Sequence, residues 1–163
     1  MGHTLIRKRI AAACCAVVII VGFGQASGSS AATEQRTLLV LGDSLTWGYD
    51  PVNLGRHAYE DRWTSVLQKA LGHGVRVIAE GLNGRTTAYD DHLGDCERNG
   101  TKLLPTLLAT HKPIDLVIIM LGTNDLKRGI QGTAIGATSG VKRLVKQVQK
   151  HDWGFEFEEP EIL

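Results

Sequence analysis

The sequence predicts a three-layer α/β fold, in which helices cover both faces of a parallel sheet. Short apolar runs at 37–41 and 116–121 each end at a glycine, and a weaker run covers 75–79. Continuous apolar runs of this length are typical of strands that are buried on both faces of a parallel sheet. Segments with helical periodicity separate the runs, and strands that alternate with helices imply right-handed crossovers.

The helices are predicted from apolar residues spaced three and four apart. Such a series covers 63–71 and is stopped by Gly72, which predicts an amphipathic helix after the first strand. A second helix is predicted to open at Pro105, whose fixed φ suits a first helical position, and to run to about His111. The third follows from an apolar stripe over 141–148, after a loop marked by Gly129, Gly132, Gly136 and Gly140.

The first 32 residues are predicted to be a secretory signal peptide outside the folded domain. A basic triplet at 7–9 precedes an apolar segment at 10–23, and small residues follow up to Ala32. The apolar segment is shorter than the about 20 residues that a membrane-spanning helix needs, so no stable membrane anchor is expected after cleavage. We therefore expect a secreted or periplasmic protein whose domain covers 33–163.

Composition and charge define the class of protein. The chain is 43% hydrophobic and 21% charged, which is typical of one globular domain and excludes a disordered chain. Without the predicted signal peptide, 15 basic and 17 acidic residues remain, a net charge of −2 that gives no indication of nucleic-acid binding. Cys96 is the one cysteine of the predicted domain and cannot form an internal disulfide. No metal or other cofactor is expected, because no His or Cys cluster joins Asp43 and Asp125.

The C-terminal tail predicts a further strand. Pro160–Leu163 follows an acidic stretch and has the pattern of a strand that is just beginning. A sheet of only three strands would leave the apolar strand at 116–121 with a row of unpaired backbone groups, which invites aggregation. We therefore expect an incomplete, N-terminal part of a domain whose C-terminal strands are missing.

Three polar segments follow the three predicted strands at the same sheet edge. Ligands of open α/β sheets bind beyond the carboxyl ends of the strands, and Ser44, Gly84 and Asn124 all fall there. Acyl transfer needs a nucleophilic hydroxyl and hydrogen-bond donors aimed at the oxyanion that forms on attack. Ser44 is the predicted nucleophile, and its own backbone N–H, that of Gly84 and the Asn124 amide are the predicted donors.

The segments GDSLTWGY (42–49), EGLNGRTT (80–87) and MLGTND (120–125) resemble the first three blocks of the SGNH, or GDSL, hydrolases. More narrowly, the chain from residue 37 onward is similar to the bacterial arylesterase and acyltransferase branch. The resemblance implies that Ser44 is the nucleophile and that Gly84 and Asn124 match the second and third blocks. It also implies activity on short-chain or aryl esters and a flavodoxin-like fold with five parallel strands, two more than the apolar runs indicate.

The family's fourth block is absent from the sequence. That block carries an Asp and, three residues later, the His that serves as general base, but no Asp stands three places before a His in these 163 residues. His111 leads into a strand and is expected on the opposite sheet edge, while His151 is expected to act as a charge partner of a helix C-terminus. His57 and His92 lie in loops on the correct side, and His92, beside two aspartates, is the better candidate.

Three residues near the nucleophile are candidates for a substrate pocket: Asp43, Trp47 and Arg85. Trp47 and Tyr49 either line an acyl or aryl pocket or simply pack. Arg85 either binds a carboxylate or braces its loop. A turn-capping role is preferred for Asp43, because the residue sits inside a turn motif.

Three functional hypotheses follow. The first is a serine esterase that acts on a small-molecule ester, favoured because three blocks occur in order in the expected structural context. The second is an inactive, truncated remnant that binds esters or glycans weakly, since the base is missing. The third is a flavodoxin-like cofactor protein whose loop with Ser44, Thr46 and Gly48 cradles a phosphate.

Overall fold

A computed structural model describes residues 35–163, so the predicted signal peptide lies outside the described residues. The strands are β1 (Arg36–Gly42), β2 (Tyr49–Asp50), β3 (Gly55–Arg56), β4 (Val75–Gly81), β5 (Leu116–Met120) and β6 (Glu161–Ile162). The helices are α1 (Ser44–Trp47), α2 (Trp63–Leu71), α3 (Gly100–His111) and α4 (Ala134–Gln149). Short 3₁₀ turns cover Tyr59–Asp61, Gly72–Gly74 and Asn124–Leu126.

The central sheet has four parallel strands in the order β4-β1-β5-β6, while β2 and β3 form a separate antiparallel pair. This is the order of the first four strands of a flavodoxin-like sheet. Gly42 at the end of β1 pairs with Gly81 of β4 on one side and Met120 of β5 on the other. The register therefore brings the carboxyl ends of the three long strands level, and the predicted α/β class with a parallel sheet is confirmed.

The predicted strand in the tail is observed as β6. It pairs in parallel with β5, where Leu116 is opposite Glu161 and Val117 is opposite Ile162. A backbone hydrogen bond from Ile119 N to Leu163 O, 2.9 Å long, extends the contact. The first half of the β5 edge is thus covered, which limits the exposure expected from three strands alone.

Helix α3 begins at Gly100, so the prediction that it opens at Pro105 is wrong. Asn99 caps the helix, because its side-chain oxygen accepts a hydrogen bond of 3.0 Å from Thr101 N. Pro105 lies inside the helix, where its missing N–H leaves the Thr101 carbonyl without its usual donor. Gln147 of α4 supplies the donor instead, with Nε2 2.8 Å from Thr101 O. A contact between helices thus makes the proline tolerable.

Helix α4 begins earlier than its apolar stripe indicates, and two glycines predicted to lie in a loop are inside it. Thr133 caps α4 through a hydrogen bond of 3.1 Å from Gly136 N to its hydroxyl. A Cβ built on Gly140 would collide with Oγ1 of Thr87. Gly140 therefore permits close packing of a loop on the helix.

The core lies between the sheet and the pair α3 and α4, whereas α2 packs on β4. Helix α2 covers the predicted residues and stops at Gly72. Side chains alternate along a strand, so neighbouring residues of β1 face different helical layers. The buried cluster consists of Leu39, Leu41, Leu104, Leu108, Ile114, Val117, Leu144, Val148 and Trp153.

Candidate active site

The turn that carries Ser44 packs directly on the ends of two strands. A Cβ built on Gly42 would collide with the side chain of Thr46, and one built on Gly81 would collide with the backbone nitrogen of Trp47. Both strands must therefore end in a residue without a side chain for α1 to lie across them. This explains physically why a glycine precedes the Asp-Ser pair in the first motif.

Asp43 and Gly48 define the two ends of α1. The Asp43 Oδ1 accepts a hydrogen bond of 3.0 Å from Leu45 N, which caps the first turn. Gly48, with φ of 89°, ends the helix, and its N–H donates to Ser44 O over 2.9 Å. Ser44 is thus the first residue of a capped turn at the sheet edge, and its side chain is half-buried.

Asn124 joins the three motif loops. Its Nδ2 donates to the carbonyl oxygen of Arg85 over 3.0 Å and lies 3.4 Å from Oδ2 of Asp43. Arg85 directly follows Gly84, and Asp43 directly precedes Ser44. The structure therefore brings the neighbourhoods of Ser44, Gly84 and Asn124 together, as the parallel topology predicts.

Gly84 lies in a tight turn with φ of +79°, a conformation that L side chains rarely adopt. A Cβ at this position would also lie 3.1 Å from Nη1 of Arg98. Arg98 is held in place by ion pairs of 2.8 Å with Asp91 and 2.9 Å with Asp95. No sequence pattern predicts this arrangement, because the partners of Arg98 are charged residues in an irregular loop.

Arg85 is only 5% exposed, and its hydrogen bonds favour the interpretation as a loop brace. Its Nη1 donates to the Gly42 carbonyl over 3.3 Å and also to the Glu80 carbonyl. Burial lowers the pKa of the guanidinium, while nearby Glu80 acts in the opposite direction. The side chain thus connects the end of β1 to the end of β4.

Asp43 is also buried, and both of its oxygens are engaged, Oδ1 by Leu45 and Oδ2 by Asn124. Burial raises its pKa, and the Leu45 N–H, Lys127 and Arg85 partly oppose that rise. This supports the predicted capping role. It also weakens the phosphate-cradle hypothesis, because a carboxylate already takes the first-turn N–H that a phosphate would need.

Trp47 stands three residues after Ser44, which places the two on one side of α1. The guanidinium carbon of Arg56 lies 4.3 Å above the indole ring, and Arg56 Nε donates to Trp47 O over 2.7 Å. Trp47 is half-buried. Arg56 was not predicted as a neighbour of the site, because the antiparallel pair β2–β3 that delivers it is only two residues long in each strand.

The histidines have other surroundings. His111 Nε2 lies 3.0 Å from Oε1 of Glu80, a structural partner. His151 packs edge-on against Trp153, with ring centroids 4.7 Å apart. Burial lowers the pKa of His151, and the positive charge of Lys112 lowers it further. A lowered pKa favours the neutral ring, so a role as helix charge partner is not supported. His57 and His92 are exposed.

Within residues 35–163, no group of three or more His, Cys, Asp or Glu side chains is arranged to hold a metal ion. No hydrogen bond between a histidine and Ser44 occurs in this part of the chain either. The general base is therefore not identified among the described residues.

A parallel sheet with a serine turn after its first strand, and with Gly and Asn loops after the next two, defines the SGNH class of hydrolases. Comparison with known sequences gives the same result at family level. Residues 40–156 match the GDSL-like Lipase/Acylhydrolase family, and the chain belongs to that family.

Two relatives illustrate the similarity. An arylesterase of Vibrio mimicus is 38% identical over 125 residues, which cover 74% of this chain and 52% of the relative. Esterase TesA of Pseudomonas aeruginosa is 38% identical over 98 residues, or 58% of this chain and 40% of the relative. The chain thus spans about half the length of the curated relatives it matches.

Solved structures show the same fold. A carbohydrate acetylesterase family member from Sinorhizobium meliloti is 64% identical with a TM-score of 0.76, covering 78% of this chain and 61% of that one. The native aryl esterase of M. smegmatis is 44% identical with a TM-score of 0.72, covering 78% and 61%. The predicted membership of an SGNH, arylesterase-like family is confirmed.

Proposed function

We propose that this chain is a serine esterase that acts on short-chain or aryl esters, with Ser44 as the nucleophile. The observation that carries the proposal is the position of the Asn124 amide between Asp43 and Arg85. This contact places the third motif beside the residues that flank Ser44 and Gly84, as an oxyanion site made from three loops requires.

In the proposed reaction, Ser44 Oγ attacks the ester carbonyl and the alcohol or phenol leaves with a proton. Water, or a second alcohol, then takes the acyl group from the serine and regenerates its hydroxyl. The Ser44 and Gly84 N–H groups and Asn124 Nδ2 stabilise the oxyanion. Each such donor typically contributes about 100- to 1,000-fold in rate. In the acylation step, the proton of the Ser44 hydroxyl ends on the leaving alcohol or phenol.

The geometry at Asn124 suits this role. Its two Nδ2 contacts differ in length, 3.0 Å to the Arg85 carbonyl and 3.4 Å to the Asp43 carboxylate. The shorter bond fixes the amide plane, while the longer one is weak by hydrogen-bond criteria. The Asn124 N–H that is not bonded to the Arg85 carbonyl is therefore the one proposed to donate to an oxyanion.

The substrate class is supported by relatives and by the surface beside Ser44. The relatives are described as an arylesterase, an aryl esterase and a carbohydrate acetylesterase family member. Trp47 offers a half-buried aromatic surface on the same side of α1. A flat aromatic wall of this kind suits an aryl or short acyl group.

The test is hydrolysis of 4-nitrophenyl acetate by the purified chain and by its Ser44→Ala variant. A matched control is Ser65→Ala in α2, which changes an equally half-buried serine away from the site. We expect turnover to be lost in the first variant and kept in the second. Turnover at equal rates by the wild type and Ser44→Ala would refute Ser44 as the nucleophile. Absence of turnover by the wild type would leave the ester or glycan binder as the favoured hypothesis.

We also propose that residues 1–32 direct export to the periplasm or the medium. Their basic and then apolar pattern supports this. Among residues 35–163, no helix is long and apolar enough to cross a membrane. N-terminal sequencing of the exported protein tests the proposal, and a cytoplasmic product that still begins at Met1 would contradict it.

A further inference from the structure

Asp125 is a fully buried carboxyl group that the proposed reaction does not use. Within the part of the chain that the structure describes, its partners are hydrogen-bond donors, and no Lys, Arg or His pairs with it. A buried carboxylate without a cation is costly unless its oxygens are well satisfied. The fold therefore tolerates Asp125 only because specific donors face it.

Those donors belong to one residue, Thr87. The Thr87 N–H lies 3.2 Å from Oδ1 and 3.1 Å from Oδ2 of Asp125, and the Thr87 hydroxyl donates to Oδ1 as well. Both residues are fully buried. Asp125 follows Asn124, and Thr87 lies in the loop that carries Gly84. This contact between Asp125 and Thr87, which we call the clip, joins two loops of the candidate oxyanion site that are 38 residues apart in sequence.

Helix α4 packs against the side of Thr87. Because a Cβ on Gly140 would collide with Thr87 Oγ1, the helix backbone lies directly against the threonine hydroxyl. A second tie is the hydrogen bond of 2.9 Å from the Tyr89 hydroxyl to the Gly136 carbonyl. With α4 on one side and Asp125 on the other, Thr87 has no room to shift.

The clip runs beside the contact that aims the candidate oxyanion donor. Asn124 Nδ2 donates to the Arg85 carbonyl over 3.0 Å. Asn124 directly precedes Asp125, and Arg85 lies two residues before Thr87. Any movement of the Thr87 segment would therefore move the Arg85 carbonyl and rotate the Asn124 amide.

We propose that Asp125 and Thr87 form a positioning pair that sets the orientation of Asn124 and Gly84 for oxyanion stabilisation. The inference rests on the proposed function of Ser44. The pair touches no substrate, and it acts by holding the two donor loops at a fixed separation.

The test compares Thr87→Val, which removes the hydroxyl at nearly constant shape, with Thr87→Ser, which keeps it. Asp125→Asn is a second disruptive variant. It replaces one of the two carboxylate oxygens that face the Thr87 N–H with an NH₂ group, which is a donor and cannot accept that hydrogen bond. Thr64→Val, at a buried threonine of α2, is the matched control. Urea unfolding first confirms that each variant is folded, and Thr87→Val provides the disruptive variant if Asp125→Asn does not fold.

We expect kcat for 4-nitrophenyl acetate to fall about 10- to 100-fold in Thr87→Val, because a small displacement of a catalytic group has that effect. KM should change less than about threefold, since substrate binding does not involve the clip. Thr87→Ser and Thr64→Val should keep nearly wild-type kcat. The Asn124 side-chain amide signals in a ¹⁵N NMR spectrum should shift in Thr87→Val and Asp125→Asn, but not in Thr87→Ser or Thr64→Val.

A folded Thr87→Val variant with wild-type kcat and unshifted Asn124 signals would overturn the proposal. A loss of kcat that Thr64→Val shares would also overturn it, because the effect would then be general destabilisation. The Ser44→Ala variant separates the two proposals. If that variant keeps full turnover, the esterase proposal fails, while the Asn124 signals still decide whether the clip orients the amide.

Discussion

Two regions of the sheet are buried by different kinds of side chain: the face covered by α3 and α4, and the edge formed by the carboxyl ends of the strands. Between the sheet and α3 and α4, the buried side chains are aliphatic or aromatic and contact many neighbours at once. At the edge, the buried residues are polar, and most of them are held by a few directed hydrogen bonds. They are Asp43, Thr46, Arg85, Thr86, Thr87, Asn99, Asn124 and Asp125.

This difference separates stability from geometry. Apolar contacts are non-directional and scale with the area removed from water, so the helix-covered face supplies folding free energy. Hydrogen bonds contribute less net energy but fix directions, and an unpaired buried group is costly. We therefore expect changes in the core to lower stability and changes at the edge to lower turnover.

The largest expected effect on stability comes from Leu104→Ala. Leu104 of α3 is fully buried in the core cluster, and a Leu→Ala change in a core costs about 2–5 kcal/mol. Urea unfolding measures the loss, with Leu93→Ala, which is 98% exposed, as control. Turnover per folded molecule should stay constant. A large loss of kcat in the folded variant would show that the two regions are not separate.

The next effect is on turnover and comes from Asn124→Ala. Loss of one oxyanion donor should lower kcat about 100- to 1,000-fold. The free energy of unfolding should change by no more than about 1–3 kcal/mol, the cost of leaving the Arg85 carbonyl unpaired. Asn53→Ala, at an exposed asparagine of the β2–β3 turn, should do neither. A variant with unchanged kcat would remove Asn124 from the oxyanion site.

The smallest effect concerns pH and Asp43. Because burial raises the pKa of Asp43 above the ordinary carboxyl value of 3.8, the folded protein binds this proton more tightly than the unfolded chain. The stabilisation that results is present at low pH and is lost as the pH rises through the folded pKa. Asn caps helices as well as Asp, so Asp43→Asn keeps the turn.

The stability difference between the wild type and Asp43→Asn should therefore move against the wild type as the pH rises above 3.8. Urea titrations between about pH 3 and pH 7 measure it, a range that spans ordinary and raised carboxyl pKa values. A difference that moves in the opposite direction would mean that ionised Asp43 is favoured in the fold. The contacts to Leu45 and Asn124 would then dominate over burial.

Local patterns predicted much of the fold. The spacing of apolar residues placed α2 correctly, and the glycine-bounded runs placed β1 and β5 within a residue at either end. The start of α3 was misplaced because Pro105 favours a first helical position, while the group that compensates for it, Gln147, lies 46 residues away from Thr101. No local pattern contains that information.

The site shows the same limit. The convergence of the Ser44, Gly84 and Asn124 loops follows from parallel topology alone, because three strands end at one edge. The residues that orient them do not follow from it. Thr87 and Asp125 lie in two of the motifs, but their pairing depends on how closely α4 approaches at Gly140. The Arg56 contact with Trp47 depends on a turn too short to show a strand pattern.

The bare ends of β1 and β4 have a consequence for redesign. Helix α1 packs on Gly42 and Gly81 with no space for a methyl group. The position of Ser44 therefore depends on the absence of side chains at these two strand ends. Under the proposed function, we therefore expect substitutions at Trp47 and Arg56 to alter substrate range while Gly42 and Gly81 are kept. In a library of variants at Gly42 and Gly81, most members would be unable to form the α1 turn, because any side chain there collides with Thr46 or Trp47.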